Sequence, residues 1–304
     1  MRCILVLAVV LAAVGGALAL GSSSTPAGHR TTLVKEERLA GGAVRRVWSN
    51  GATFVGDADA AVTFSEDADG EATGATVAVP GPASPADAAR KAAAYRRAGR
   101  SPAKDMRLAG VPRSSASRDP AFPKPAARRR PVAFAARTYG TANSIYDSGC
   151  LTLDNSDAYW HGCFTRKGTA SSDCCAYYLA DASQALGHAK AGGHWLGYGY
   201  TQQRYASGNS IVQWAPGSDV SSSSCTSTTI GLTGYGAYLS RTYTRCPKVI
   251  DVTLTSTKLN AMWVGCKGSN TSPGVAAAAF TKVPVGNSKT LYYGIGYWTQ
   301  SLGC

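Results

Sequence analysis

The chain has 304 residues, 44% of them apolar, so it can bury a sizeable core and is not a disordered segment. Its 31 Lys and Arg against 18 Asp and Glu give a net charge of +13, which would suit an anionic partner if the excess lay on one folded face. It does not: residues 107–137 carry eight basic residues against one acidic, whereas residues 138–304 carry eleven against seven. The charge therefore speaks for a processing or surface-adhering segment and against a nucleic-acid face.

In chain order, Met1-Arg2 is followed by an apolar stretch from Cys3 to Val14 and a small-residue pattern ending at Ala19. This predicts a secretory signal peptide over residues 1–19, cut after Ala19, and an extracellular protein. The stretch is too short to cross a bilayer, and no later run is long enough, so stable membrane insertion is not expected.

Residues 20–106 are predicted to form a small α+β unit. β-prone runs from Val44 to Val79, broken at Asn50-Gly51, Gly56-Asp57 and Glu66 to Glu71, describe an antiparallel meander. Ser84-Pro85 then opens an Ala-rich helix to Arg97, with Asp87 in its first turn and arginines in its last, as the helix dipole favours. Residues 107–137 turn to Pro, Arg, Ser and Ala without apolar period. They read as a basic linker in which Arg128, Arg129 and Arg130 mark a processing point, so that the first unit is a candidate propeptide.

Residues 138–304 have Gly, Ser, Asn and Thr punctuation between about eight short strands, which predicts a disulfide-stapled antiparallel β-sandwich or a related barrel. For residues 175–186 the pattern does not separate helix from strand. With Cys3 removed, eight cysteines remain, all in this region: Cys150, Cys163, Cys174, Cys175, Cys225, Cys246, Cys266 and Cys304. An even set in an exported chain predicts four disulfides. Cys225 and Cys246 flank Gly234-Tyr235-Gly236 almost symmetrically and so face each other across a hairpin, and Cys150 and Cys163 flank the turn-like Asp154-Asn155-Ser156-Asp157 in the same way. A zinc site using His161, Cys163, Cys174, His188 and His194 is the weaker alternative, because no CxxC pair is present.

Catalytic sets are incomplete. No Glu follows Glu71, so carboxylate chemistry in the cysteine-rich region falls to Asp, with Asp154 and Asp157 nearest in sequence. Asp147-Ser148-Gly149-Cys150 resembles a serine-protease nucleophile segment, except that Tyr146 stands where a Gly is needed. His161 follows Asp157 by four residues, the spacing of an orienting pair, without a nucleophile to serve. Asp67 to Glu71 resembles the start of a calcium loop but lacks the later ligands, which favours a turn. No cofactor or metal is expected.

The most informative pattern lies in two strands. Thr290 to Gln300 puts Leu291, Tyr293, Ile295 and Tyr297 on one face, and Tyr292, Gly294, Gly296 and Trp298 on the other. His194 to Thr201 similarly groups Trp195, Gly197 and Gly199 opposite Leu196, Tyr198 and Tyr200. A glycine floor edged by aromatic rings suits stacking of a sugar or receipt of a partner's chain. The expectation is a secreted binding module for an envelope or extracellular glycan or protein. The alternatives are the zymogen of an extracellular hydrolase, with residues 20–130 as propeptide, and a basic toxin or antimicrobial protein.

Overall fold

A computed structural model of the chain describes residues 31–110, 137–139, 142–171, 175–190, 194–222, 224–246 and 248–301. The signal segment with Ala19, the run Arg128, Arg129 and Arg130, and Cys174 and Cys304 lie outside these residues.

The first stretch supplies β1 (Leu33–Arg38), β2 (Ala43–Trp48), β3 (Ala52–Asp57), β4 (Ala61–Glu66) and β5 (Ala72–Val79), then α1 (Pro85–Arg97) and α2 (Pro102–Leu108). Helix α1 begins where its sequence requires, with the Ser84 side chain accepting the Asp87 N–H. The strands that follow are β6 (Arg137–Tyr139), β7 (Ile145–Asp154), β8 (Ala158–Lys167), β9 (Thr169–Ser171), β10 (Ala176–Ala189), β11 (Trp195–Tyr205), β12 (Ser210–Ala215) and β13 (Val220–Ser222). The last are β14 (Thr226–Gly234), β15 (Ala237–Arg245), β16 (Lys248–Leu254), β17 (Lys258–Lys267), β18 (Gly274–Pro284) and β19 (Leu291–Gln300).

Two large antiparallel sheets form a sandwich. The first has eight strands in the order β1-β2-β3-β7-β8-β10-β18-β12, and the second has seven in the order β13-β16-β17-β11-β19-β5-β4. Both sheets are open, so the barrel alternative is replaced by the sandwich. Their facing sides bury Phe54, Leu151, Leu153, Trp160, Leu196, Trp263, Tyr293 and Ile295. A charge pair lies in the same interior: Arg166 and Asp181, both without solvent exposure, meet at 2.9 Å, and Tyr205 donates to the second Asp181 oxygen at 3.0 Å.

The meander drawn from local sequence is divided between the sheets. Strand β3 pairs with β7, and β5 pairs with β19, with no pairing between β3 and β4. Arg166 reinforces the join by donating to the Val79 carbonyl at 3.2 Å. Residues 31–110 thus form no separate sheet or core: their strands complete both sheets, and the boundary drawn at 107–137 does not divide the sandwich. Local signals located the strands but carry no information on partners so distant in the chain.

The outer side of the first sheet is covered twice. Helices α1 and α2 lie over β3, β7 and β8, burying Val55, Met106, Ala109, Cys150 and Cys163 in a small core of their own. The β14-β15 hairpin lies over β10 and β18. Its Ile230, Leu239 and Tyr243 join the main core, Lys167 donates to the Tyr238 carbonyl at 2.7 Å, and Arg241 bonds Thr165. The hairpin turns at Tyr235-Gly236, both at positive φ, as a tight two-residue turn requires. Cys225 is bonded to Cys246 across its open end, and Cys150 to Cys163 between β7 and β8. Cys175 and Cys266 are disulfide-bonded as well.

Candidate functional site

The outer side of the second sheet has no such cover among the described residues. Strand β11 runs through its middle, and its outward side chains set the pattern. Tyr198 stands between Trp298 and Val264, Tyr200 between Gly296 and Met262, Gln202 between Gly294 and Asn260, and Arg204 between Tyr292 and Lys258. Beyond β19, Gly74 and Thr76 continue the rows on β5. The six steps from Tyr198 to Arg204 at ~3.4 Å each span ~20 Å. The face therefore grades from aromatic, through amide and hydroxyl, to basic.

The aromatic end is ordered by packing. Trp298, 48% exposed, stacks on Tyr198 with ring centroids 6.0 Å apart and planes 16° apart. Tyr200 lies flat over Gly296, where an added Cβ would meet the ring at 2.6 Å. Burial first, and Tyr198 second, push the Tyr200 hydroxyl up from its ordinary value. This glycine is required because any side chain would lift Tyr200 off the sheet.

Strict alternation misassigned part of this face. The register shifts between Leu196 and Tyr198, leaving Gly197 as an extra residue: Trp195 pairs with Gln300, Leu196 with Thr299, and Tyr198 with Trp298. The bulge brings Tyr198 and Tyr200 to the outside with Trp195 and Trp298, and Gly197 lies beneath the Trp298 ring. Gly199 and Thr201 turn inward instead, and the Trp160 ring fills the space above Gly199. Of the sequence-derived set, Trp195, Tyr292, Trp298, Gly197, Gly294 and Gly296 belong to the open face, and Gly199 belongs to the core. Tyr198, Tyr200, Gln202, Arg204 and Lys258 were missed. The Gly-flanked Tyr198 was the available signal, since Gly inside a strand pattern marks a bulge.

The candidate catalytic groups go elsewhere. Ser148 is buried and bonded to Tyr95 at 2.7 Å and to Asp105, and among the described residues no histidine is bonded to it. Asp154 pairs with Lys190 at 2.6 Å. Asp157 meets His194 at 3.4 Å, not His161. His161 is buried against the Tyr159 ring, which also meets the His188 ring, and finds no hydrogen-bond partner among the described residues; burial, then the His188 charge, lowers its pKa to about 3. Asp67 accepts the Asp69 and Glu71 backbone N–H groups, which makes the segment a side-chain-capped turn. Among the described residues no cluster of three or more His, Cys, Asp or Glu is placed to hold a metal, and Cys163 is consumed in a disulfide.

One buried carboxylate stands out. Asp147 lines a cleft of about 310 Å³ beneath α1 with Asp57, Lys91, Tyr95 and Arg100, and one of its oxygens has no hydrogen-bond partner among the described residues. Burial first, and the Asp57 charge second, raise its pKa to about 7.

By its fold the protein is a disulfide-stapled antiparallel β-sandwich with one open, aromatic-rich face. Compared with protein-family models and with curated proteins, the chain matches none.

Proposed function

We propose that this chain is an extracellular binding module that holds a glycan on the open face of its second sheet. The observation that carries the reading is the Trp298, Tyr198 and Tyr200 row. Trp298 is exposed and Tyr198 and Tyr200 are half-buried on a rigid strand pair, where folding alone favours full burial of large rings. A pyranose ring offers a C–H face of matching size, and Gln202, Asn260 and Thr76 supply hydrogen-bonding groups one row away. Four half-cystine pairs expected from the sequence, with two of them bonded across adjacent strands, fit an oxidising compartment. Among the described residues no helix is long and apolar enough to cross a membrane.

The hydrolase-precursor alternative requires residues 20–130 to leave. Those residues contribute β1 to β5, and their loss would strip hydrogen-bonding partners from β7 and β19, which counts against it. The toxin reading rests on charge concentrated in residues 107–137 and draws nothing from the folded faces.

A glycan array probed with the secreted chain tests the proposal. Binding is expected, with loss of at least tenfold in affinity for Trp298→Ala and Tyr198→Ala; binding that survives both substitutions removes this face as the site.

A further inference from the structure

The basic end of the open face specifies the glycan's chemistry. Arg204 on β11 and Lys258 on β17 are direct cross-strand partners on the outer side. Like charges placed opposite each other on a sheet repel, and neighbouring carboxylates usually relieve the cost. Here neither side chain forms an ion pair among the described residues; the Arg204 guanidinium instead lies over the Tyr292 ring at 4.9 Å. That stacking fixes the plane of the guanidinium and leaves its N–H fork available. Beside it opens a hollow of about 700 Å³ lined by Arg204, Tyr292, Ser207, Asn209, Ser256 and Thr257, a set of hydroxyl, amide and cationic donors without a carboxylate.

We infer that this end is an anion subsite, and that the ligand is an acidic polysaccharide whose uronate carboxylate seats between Arg204 and Lys258. The inference rests on the glycan reading of the same face. A planar carboxylate matches the guanidinium fork in two parallel hydrogen bonds, and Lys258 adds a point charge opposite it. The ~20 Å between Tyr198 and Arg204 then sets the order of recognition along an extended chain. A ring stacks on Trp298, Tyr198 and Tyr200, intervening hydroxyls meet Gln202 and Asn260, and an acid group ends at Arg204.

The test uses the full secreted chain in isothermal titration against polygalacturonate, alginate and hyaluronan, each beside its carboxyl-reduced, neutral counterpart. Expected is binding to at least one acidic polymer that weakens tenfold or more on carboxyl reduction, and equally in Arg204→Ala/Lys258→Ala. A second variant, Arg96→Ala/Arg97→Ala, removes exposed charge from α1 on the outer side of the first sheet and should leave affinity within twofold. Equal binding of acidic and reduced polymers, lost in Trp298→Ala, overturns the anion subsite while keeping the glycan reading. Acidic-polymer binding unchanged in Arg204→Ala/Lys258→Ala also overturns it, by assigning the attraction to charge elsewhere. Absence of binding to every polymer, acidic or neutral, overturns both readings for these glycans, and circular dichroism of each variant separates lost contacts from lost fold.

Discussion

The two sheets solve different problems with the same alternating pattern. In the first sheet β18 reads Val275-Ala276-Ala277-Ala278-Ala279-Phe280, and every one of these residues is buried, because the second sheet presses on one side and the β14-β15 hairpin on the other. Small side chains are what two covered faces allow. In the second sheet β11 and β17 alternate buried and partly exposed residues, the signature of a sheet with one wet side. A run of alanine therefore reports cover, and clean alternation with large aromatic residues on the wet side reports a surface kept open. The proposed binding face is marked by what the fold leaves uncovered there.

Several measurements sharpen or break this contrast. The largest expected effect is at the shared core: Trp160→Ala empties the space above Gly199 and should destabilise by about 3 to 5 kcal/mol in urea unfolding. Next come the two buried titrating groups under the helices, which act with opposite sign. The pKa of Asp147 is raised on folding, so its contribution is fully present below about pH 4 and is lost as pH rises toward 7. His161 is depressed on folding, so its contribution is present above the ordinary histidine value and is lost as pH falls toward 3. Asp147→Asn should therefore make stability rise more steeply between pH 4 and 7 than in the parent, by a few kcal/mol over the range. His161→Gln should make it rise less steeply than in the parent; equal slopes in both variants would contradict the burial of these groups.

A smaller effect is expected from Cys225→Ser/Cys246→Ser, about 2 to 4 kcal/mol, seen as earlier unfolding and faster hydrogen exchange across β14 and β15. The smallest is on the open face. Trp298→Ala should change stability by less than about 1 kcal/mol while removing glycan binding. A loss as large as that of Trp160→Ala would mean that the exposed ring is structural.

Much of the secondary structure was legible. The α1 boundaries followed from Ser84-Pro85 and the terminal arginines, β2 to β5 followed from turn residues, and two disulfides followed from symmetry about their turns. What failed to show was long-range. Nothing near Thr76 announces that its neighbour is Gly294, because a β-ladder partner is chosen by the whole assembly. The site was legible at Trp195, Tyr292 and Trp298 and misplaced at Gly199, since one extra residue at Gly197 reverses every later side chain on that strand. Strand β1 and helix α2 were missed: β1 is exposed along its length, and α2 is too short to show a period.

The pairing of β5 with β19 has a consequence for how the molecule comes into being. Val79 hydrogen-bonds beside Leu291, so strands made among the first must wait for one of the last to be synthesised. Until then the β4-β5 hairpin is an unprotected edge, and the two sheets cannot close on each other. Such distant closure slows folding and leaves the early strands exposed in the meantime. Any product that stops before Leu291 keeps its earliest strands without their partner.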